Sequence, residues 1–171
     1  MKKVFMSIIV VIGIITGGFF FYTSDYYHAS KYAMNVIEDV SVEAHEDYYV
    51  FVPEDIKAGL IFYPGGLVET QSYAPLMKEC AKQGILCVLV KMPFHLAVFN
   101  INGADGIIEK YDVDDWYIGG HSLGGSIAAS YVSNHLDEYN GLILLASYST
   151  EDLSQTNLNV LSKLSTPSSL P

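Results

Sequence analysis

The stretch Trp116–Gly125, WYIGGHSLGG, restricts the fold of this chain more than any other. A short apolar run leads into Gly119-Gly120. Beyond Ser122, Ile127, Ala128, Tyr131, Val132 and Leu136 recur at helical spacing, which predicts a helix over 124–136. A strand must therefore turn straight into a helix at Ser122. A turn that tight leaves no room for side chains two residues to either side, which accounts for Gly120 and Gly124. Gly119 and Gly125 relieve the crowding further.

The same strand–turn–helix rhythm extends both ways. Gly59–Tyr63 is a short apolar strand stopped by Pro64-Gly65-Gly66. Residues 70–83 read as a helix with Tyr73, Leu76, Met77 and Cys80 on one face and Gly84 as its stop. Ile85–Val90, ILCVLV, is a continuous apolar run of the kind buried on both faces of a parallel sheet. A helix is expected over 103–110 and a further buried strand at Leu142–Ala146. One or two antiparallel strands are expected between Val40 and Val52, Tyr48–Val52 being the surer. Strands alternating with helices predict an α/β fold with a mainly parallel sheet and flanking helices.

Ahead of this domain, Lys2-Lys3 precede an uncharged apolar run of 19 residues, Val4–Tyr22. A helix that crosses a bilayer needs about 20. A cleaved signal peptide is the competing reading, but its apolar core is shorter, about 7–15 residues, and it ends at a small-x-small site. Thr23-Ser24-Asp25-Tyr26-Tyr27 is a poor one, and Tyr22, Tyr26 and Tyr27 suit an interfacial belt. The expected organisation is a transmembrane anchor at 4–22, a juxtamembrane segment at 23–40, a partial α/β domain at 41–161 and a disordered tail at 162–171, rich in Ser and Pro. The two lysines before the span place the N-terminus in the cytoplasm and the domain outside the cell membrane.

Half of the 171 residues are apolar and 13% are aromatic, enough for a packed core. The net charge of −10 argues against nucleic acid as a partner, because such a surface repels phosphate backbones. It also requires that attachment to a membrane come from hydrophobic insertion and not from charge. Cys80 and Cys87 read as small buried hydrophobes, and no Cys/His spacing suggests a metal site.

Gly120-His121-Ser122-Leu123-Gly124 matches G-x-S-x-G, and its strand-to-helix context is that of a nucleophile elbow. The serine hydroxyl is held above the strand ends. The helix that begins there aims free N–H groups and its positive dipole end at the site. The amide of Leu123 is one expected oxyanion donor. The second is expected from Tyr63-Pro64-Gly65-Gly66-Leu67, as the amide of Leu67 or Gly66. The apolar loop Met92–Phe99 suggests a hydrophobic acyl pocket, or simple packing under a loop. This chemistry needs side chains and water, with no metal or organic cofactor.

YPGG, ILCVLVKMP and WYIGGHSLGG, in that order, resemble the core of the α/β-hydrolase superfamily, in particular a branch of small, membrane-anchored bacterial members related to dienelactone hydrolases. The resemblance implies a serine hydrolase of small carboxylic esters or related acyl substrates, with Ser122 as nucleophile. It also implies an acid and then a histidine later in the chain, yet no histidine follows His135. Asp152 and His95 are the weak candidates for acid and base. His121 is expected to point away from the hydroxyl, and His135 to lie at the far end of its helix. The reading is therefore of a chain that ends before its triad is complete, with impaired activity and an exposed apolar sheet edge. A non-catalytic membrane-anchored binding protein and a non-functional fragment are the alternatives.

Overall fold

A computed structural model describes residues 2–164. Helix α1, Lys2–Ser24, is followed by the short helix α2, Lys31–Ile37, capped by Ser30, whose hydroxyl accepts from the Ala33 N–H at 3.1 Å. Strands β1 (Val42–Ala44) and β2 (Tyr48–Phe51) form an antiparallel pair. Strands β3 (Ala58–Tyr63), β4 (Ile85–Val90), β5 (Trp116–His121), β6 (Gly141–Leu145) and β7 (Asn159–Lys163) are parallel to one another. Helix α3 (Ala74–Ala81) joins β3 to β4, and helix α4 (Leu123–Val132) joins β5 to β6. The seven strands lie in the order β1-β2-β4-β3-β5-β6-β7.

Period-two alternation sorts the strand side chains into two cores. Val50, Ile61, Tyr63, Val88, Ile118, Leu142 and Leu144 pack on the face covered by α4, through Ala128, Ala129 and Val132. Phe51, Leu60, Phe62, Cys87 and Leu89 pack on the opposite face, against Met77 of α3 and Val36 of α2. Each fully buried Ile or Phe here contributes about 1.5–3 kcal/mol. Cys80 and Cys87 are free thiols in contact; Cys87 is buried as expected, whereas Cys80 is only half-buried.

Several predicted helices come out shorter. The helix expected over 70–83 starts with a 3-10 turn at Thr70–Tyr73. The one expected over 103–110 is a series of turns with a single 3-10 turn, Ile108–Lys110, because Gly106 adopts φ +64° and interrupts the helical path. Helix α4 stops at Val132 and not at Leu136: Ser133 Oγ and Asn134 Nδ2 both donate to the Ser130 carbonyl, and the chain tightens into i→i+3 bonds at Asn134 and His135. β7 runs through Ser162 and Lys163, residues assigned above to the tail, because they continue the parallel ladder with Leu144 and Leu145. The rest of the expected tail, from 165 onward, lies outside the described residues.

β3 sends its connection to β4 on one side, while β5 pairs on its other side. This is the switch point of the sheet, where neighbouring loops diverge and leave a crevice beyond the strand C-termini. The loop after β3 and the turn after β5 both border that crevice.

Candidate active site at the strand-to-helix turn

β5 ends at His121 and α4 begins at Leu123, so one residue makes the whole turn. Ser122 has φ 49° and ψ −123°, a conformation rarely adopted by a residue with a side chain, and it is exposed. The glycines explain how the turn fits. A Cβ on Gly120 would lie 2.6 Å from the Gly124 carbonyl carbon, and one on Gly124 would collide with the carbonyl oxygens of Pro64 and Tyr63. The strand, the helix and the loop after β3 are thus in backbone contact around residue 122.

The strained peptide is held from behind. Ser122 N–H donates to the Leu145 carbonyl at 2.9 Å, and the Ser122 carbonyl accepts from Gly125 and Ser126 N–H groups. It also accepts from Ser147 Oγ at 2.7 Å. Ser147 is buried just past β6, where Ala146 takes a positive φ of 45°. Nothing in the sequence around Ser147 marks it for this part.

Of the expected oxyanion donors, Leu67 is not available. Its N–H donates to the His95 carbonyl at 2.8 Å, and its φ of 53° turns the backbone to make that bond. The Gly66 N–H has no backbone partner among the described residues, nor has that of Leu123, the first residue of α4. The two are adjacent: a Cβ on Gly66 would lie 3.0 Å from Leu123 Cδ2 and 3.6 Å from Leu96 Cδ2. Gly65 is fixed beside them, donating its N–H to Tyr73 Oη at 3.0 Å. With the Tyr73 oxygen accepting that bond, its own proton goes to His121 Nδ1, 2.9 Å away. His121 therefore clamps the loop after β3 to the end of β5 through Tyr73, and its Nδ1 is engaged there. Burial lowers the His121 pKa and keeps the ring a neutral acceptor.

The weak acid and base candidates do not assemble. Asp152 is exposed and closes a local turn by accepting the Ser154 N–H at 3.0 Å; that hydrogen bonding lowers its pKa. His95 stacks on Tyr26 at 3.9 Å, its Nδ1 is buried without a partner, and desolvation lowers its pKa. His135 stacks on Tyr131 and bonds the Tyr131 carbonyl through Nδ1. Among the described residues no side chain hydrogen-bonds Ser122 Oγ, and no three His, Cys, Asp or Glu side chains converge.

The fold recurs in solved structures. The Thermus thermophilus protein TT1662 superposes with a TM-score of 0.54 at 16% identity, over 62% of this chain and 56% of that one. A thermostable carboxyl esterase from Bacillus coagulans gives 0.50 at 15% identity, over 64% and 43%. A probable hydrolytic enzyme from Pseudomonas aeruginosa gives 0.50 at 15% identity, over 66% and 42%. At these identities the likeness is one of fold, and the chain spans about half the length of these proteins or less. The comparison with curated protein sequences finds no match. The sequence profile of the alpha/beta hydrolase family matches residues 59–170, well over half of the chain, and the protein therefore belongs to that family.

Proposed function

We propose that the protein is a membrane-anchored serine hydrolase acting on small carboxylic esters or related acyl compounds, with Ser122 as nucleophile and the N–H groups of Leu123 and Gly66 as the oxyanion hole. One observation carries the reading: Ser122 stands exposed and strained between β5 and α4, beside two unspent amides. Ser122 Oγ would lose its proton and add to the acyl carbonyl, and the oxyanion of the adduct would be met by the two amides. The adduct would collapse by expelling the alcohol, which takes up a proton, and water would then hydrolyse the serine ester to the free acid and restore the hydroxyl. The base that takes the serine proton is not supplied by any described histidine, so turnover by this set of groups is slow. That gap also favours a second reading, a membrane-anchored binding protein that does not turn substrate over. In both readings α1 stays in the cell membrane, with its N-terminus in the cytoplasm and the domain outside.

The test is covalent labelling. A fluorophosphonate probe, with imidazole added as an external base, should modify the full chain at Ser122, and Ser122→Ala should abolish the adduct. Failure to label Ser122 with imidazole present overturns the nucleophile assignment. Labelling without release of product from a p-nitrophenyl ester selects the binding protein.

A further inference from the structure

The last turns of α1 do not stand clear of the domain. Phe19 packs edge-on against Phe94 at 5.3 Å and Phe99 at 5.7 Å, Phe20 lies 6.0 Å from Phe94, and Phe94 and Phe99 meet each other at 5.7 Å. Beyond the helix, Tyr26 stacks on His95, and Tyr27 adds to the loop after β3 as a short strand. Its N–H donates to the Leu67 carbonyl and its carbonyl accepts from Glu69 N–H, each at 2.9 Å. The helix end is thus fastened to two loops, 64–69 and 93–101, and these are the loops that leave β3 and β4 at the edge where Ser122 stands.

The surface around that junction is apolar. Phe20, Phe21 and Tyr22 on the helix side and Phe94, Val98, Phe99 and Ile101 on the loop side all remain exposed. Loop 93–101 has two sides: Phe94 and Phe99 meet α1, whereas Leu96 reaches Gly66 beside the turn. The chain carries 19 Asp and Glu, yet none lies between residues 80 and 104. The loop side of the patch thus presents no carboxylate of its own to anionic headgroups, while Asp25 follows α1 directly and Glu69, in the loop after β3, accepts from the Ala29 N–H at 2.7 Å.

We propose that this patch lies in the headgroup–acyl boundary of the bilayer that holds α1, and that the substrate reaches Ser122 from the membrane, as a lipid-dissolved amphiphile with an acyl ester near its polar end. The inference rests on the serine hydrolase reading above for the substrate, and on the retained anchor for the surface. A helix that exits a bilayer has its terminal aromatic residues at the interface. Whatever those residues touch is at the same depth. Phe94 and Phe99 touch them, and the loop they belong to forms one wall beside the oxyanion amides. An ester held among interfacial chains has only that loop to cross, whereas a soluble ester gains nothing from it.

Depth and chemistry are read separately. The full chain, reconstituted in phosphatidylcholine vesicles, is compared as Phe99→Trp and Val40→Trp; the native Trp116 is buried in the core and gives a constant background. Lipid brominated in its acyl chains should quench Phe99→Trp strongly and Val40→Trp little. Equal quenching of the two overturns the surface. Fluorophosphonates of increasing alkyl length are then applied, with imidazole as external base, to the full chain in the same lipid. Labelling of Ser122 should speed up with length, by up to about fourfold per methylene, the partition expected from about 0.8 kcal/mol per buried CH2. Replacing both Phe94 and Phe99 by Ser should flatten that dependence. Labelling that is independent of length overturns the membrane-borne substrate. Absence of labelling by every probe instead overturns the nucleophile assignment, and leaves the quenching result to decide the surface.

Discussion

Ser122 holds its backbone in a region that costs about 1–3 kcal/mol for a residue with a Cβ. Ser122→Gly should therefore be more stable than Ser122→Ala by roughly that amount, less the entropic cost of glycine, about 0.5–1 kcal/mol. Urea unfolding of the two variants in the same detergent measures it, and equal midpoints would argue that the turn is relaxed. His121 offers a second test. Its folded pKa lies below the ordinary 6.5, so the folded protein binds its proton less readily than the unfolded chain. The stability this provides is complete above pH 6.5 and is lost as pH falls through the depressed value, where the protonated ring no longer accepts from Tyr73. His95 is depressed in the same direction. His121→Asn, which can accept a hydrogen bond near the Nδ1 position but does not titrate, should narrow the drop in Tm between about pH 7.5 and about pH 5. An unchanged drop would place the acid sensitivity elsewhere.

Among the elements, β7 is the exposed one. All five of its residues are open to solvent, Val160 and Leu161 among them, and its outer edge has no strand partner among the described residues. An unpaired apolar edge is a template for pairing with another chain. Leu161→Lys should lower self-association in sedimentation or light scattering without lowering Tm, since Leu161 contributes little to the core. The loops show why helix lengths were hard to read. Between β6 and β7 the chain forms turns and no helix, because the Glu151 N–H donates to Ser149 Oγ and the Ser154 N–H to Asp152 Oδ1. Such local side-chain bonds compete with the helix for the same amides.

For the whole molecule, α1 is 23 residues long and about 35 Å at 1.5 Å per residue, enough to cross a bilayer. A retained anchor should keep the protein in the membrane pellet through alkaline carbonate washing, with Lys2-Lys3 still at the N-terminus by mass spectrometry. A soluble chain that begins after Tyr22 would show a cleaved signal instead. The contacts of α1 with Phe94 and Phe99 and the Tyr27 bridge tie the helix end to the loops beside the site, so under the anchoring proposed above the helix end would set the orientation of the crevice towards the lipid.

The local patterns settled whatever depends on neighbours along the chain. Continuous apolar runs gave buried parallel strands, and a strand followed at once by G-x-S-x-G and a helical period gave the turn at Ser122. In both, the sterics act within a few residues. The tertiary structure decided what depends on approach from elsewhere. It committed the Leu67 amide to the His95 carbonyl and left Gly66 free, set Tyr73 between Gly65 and His121, and brought Ser147 behind the serine. It also laid Phe19 and Phe20 on a loop some 75 residues away in sequence. An amide or hydroxyl has one proton to give, and which acceptor takes it is fixed only when the sheet has brought the competing oxygens within reach.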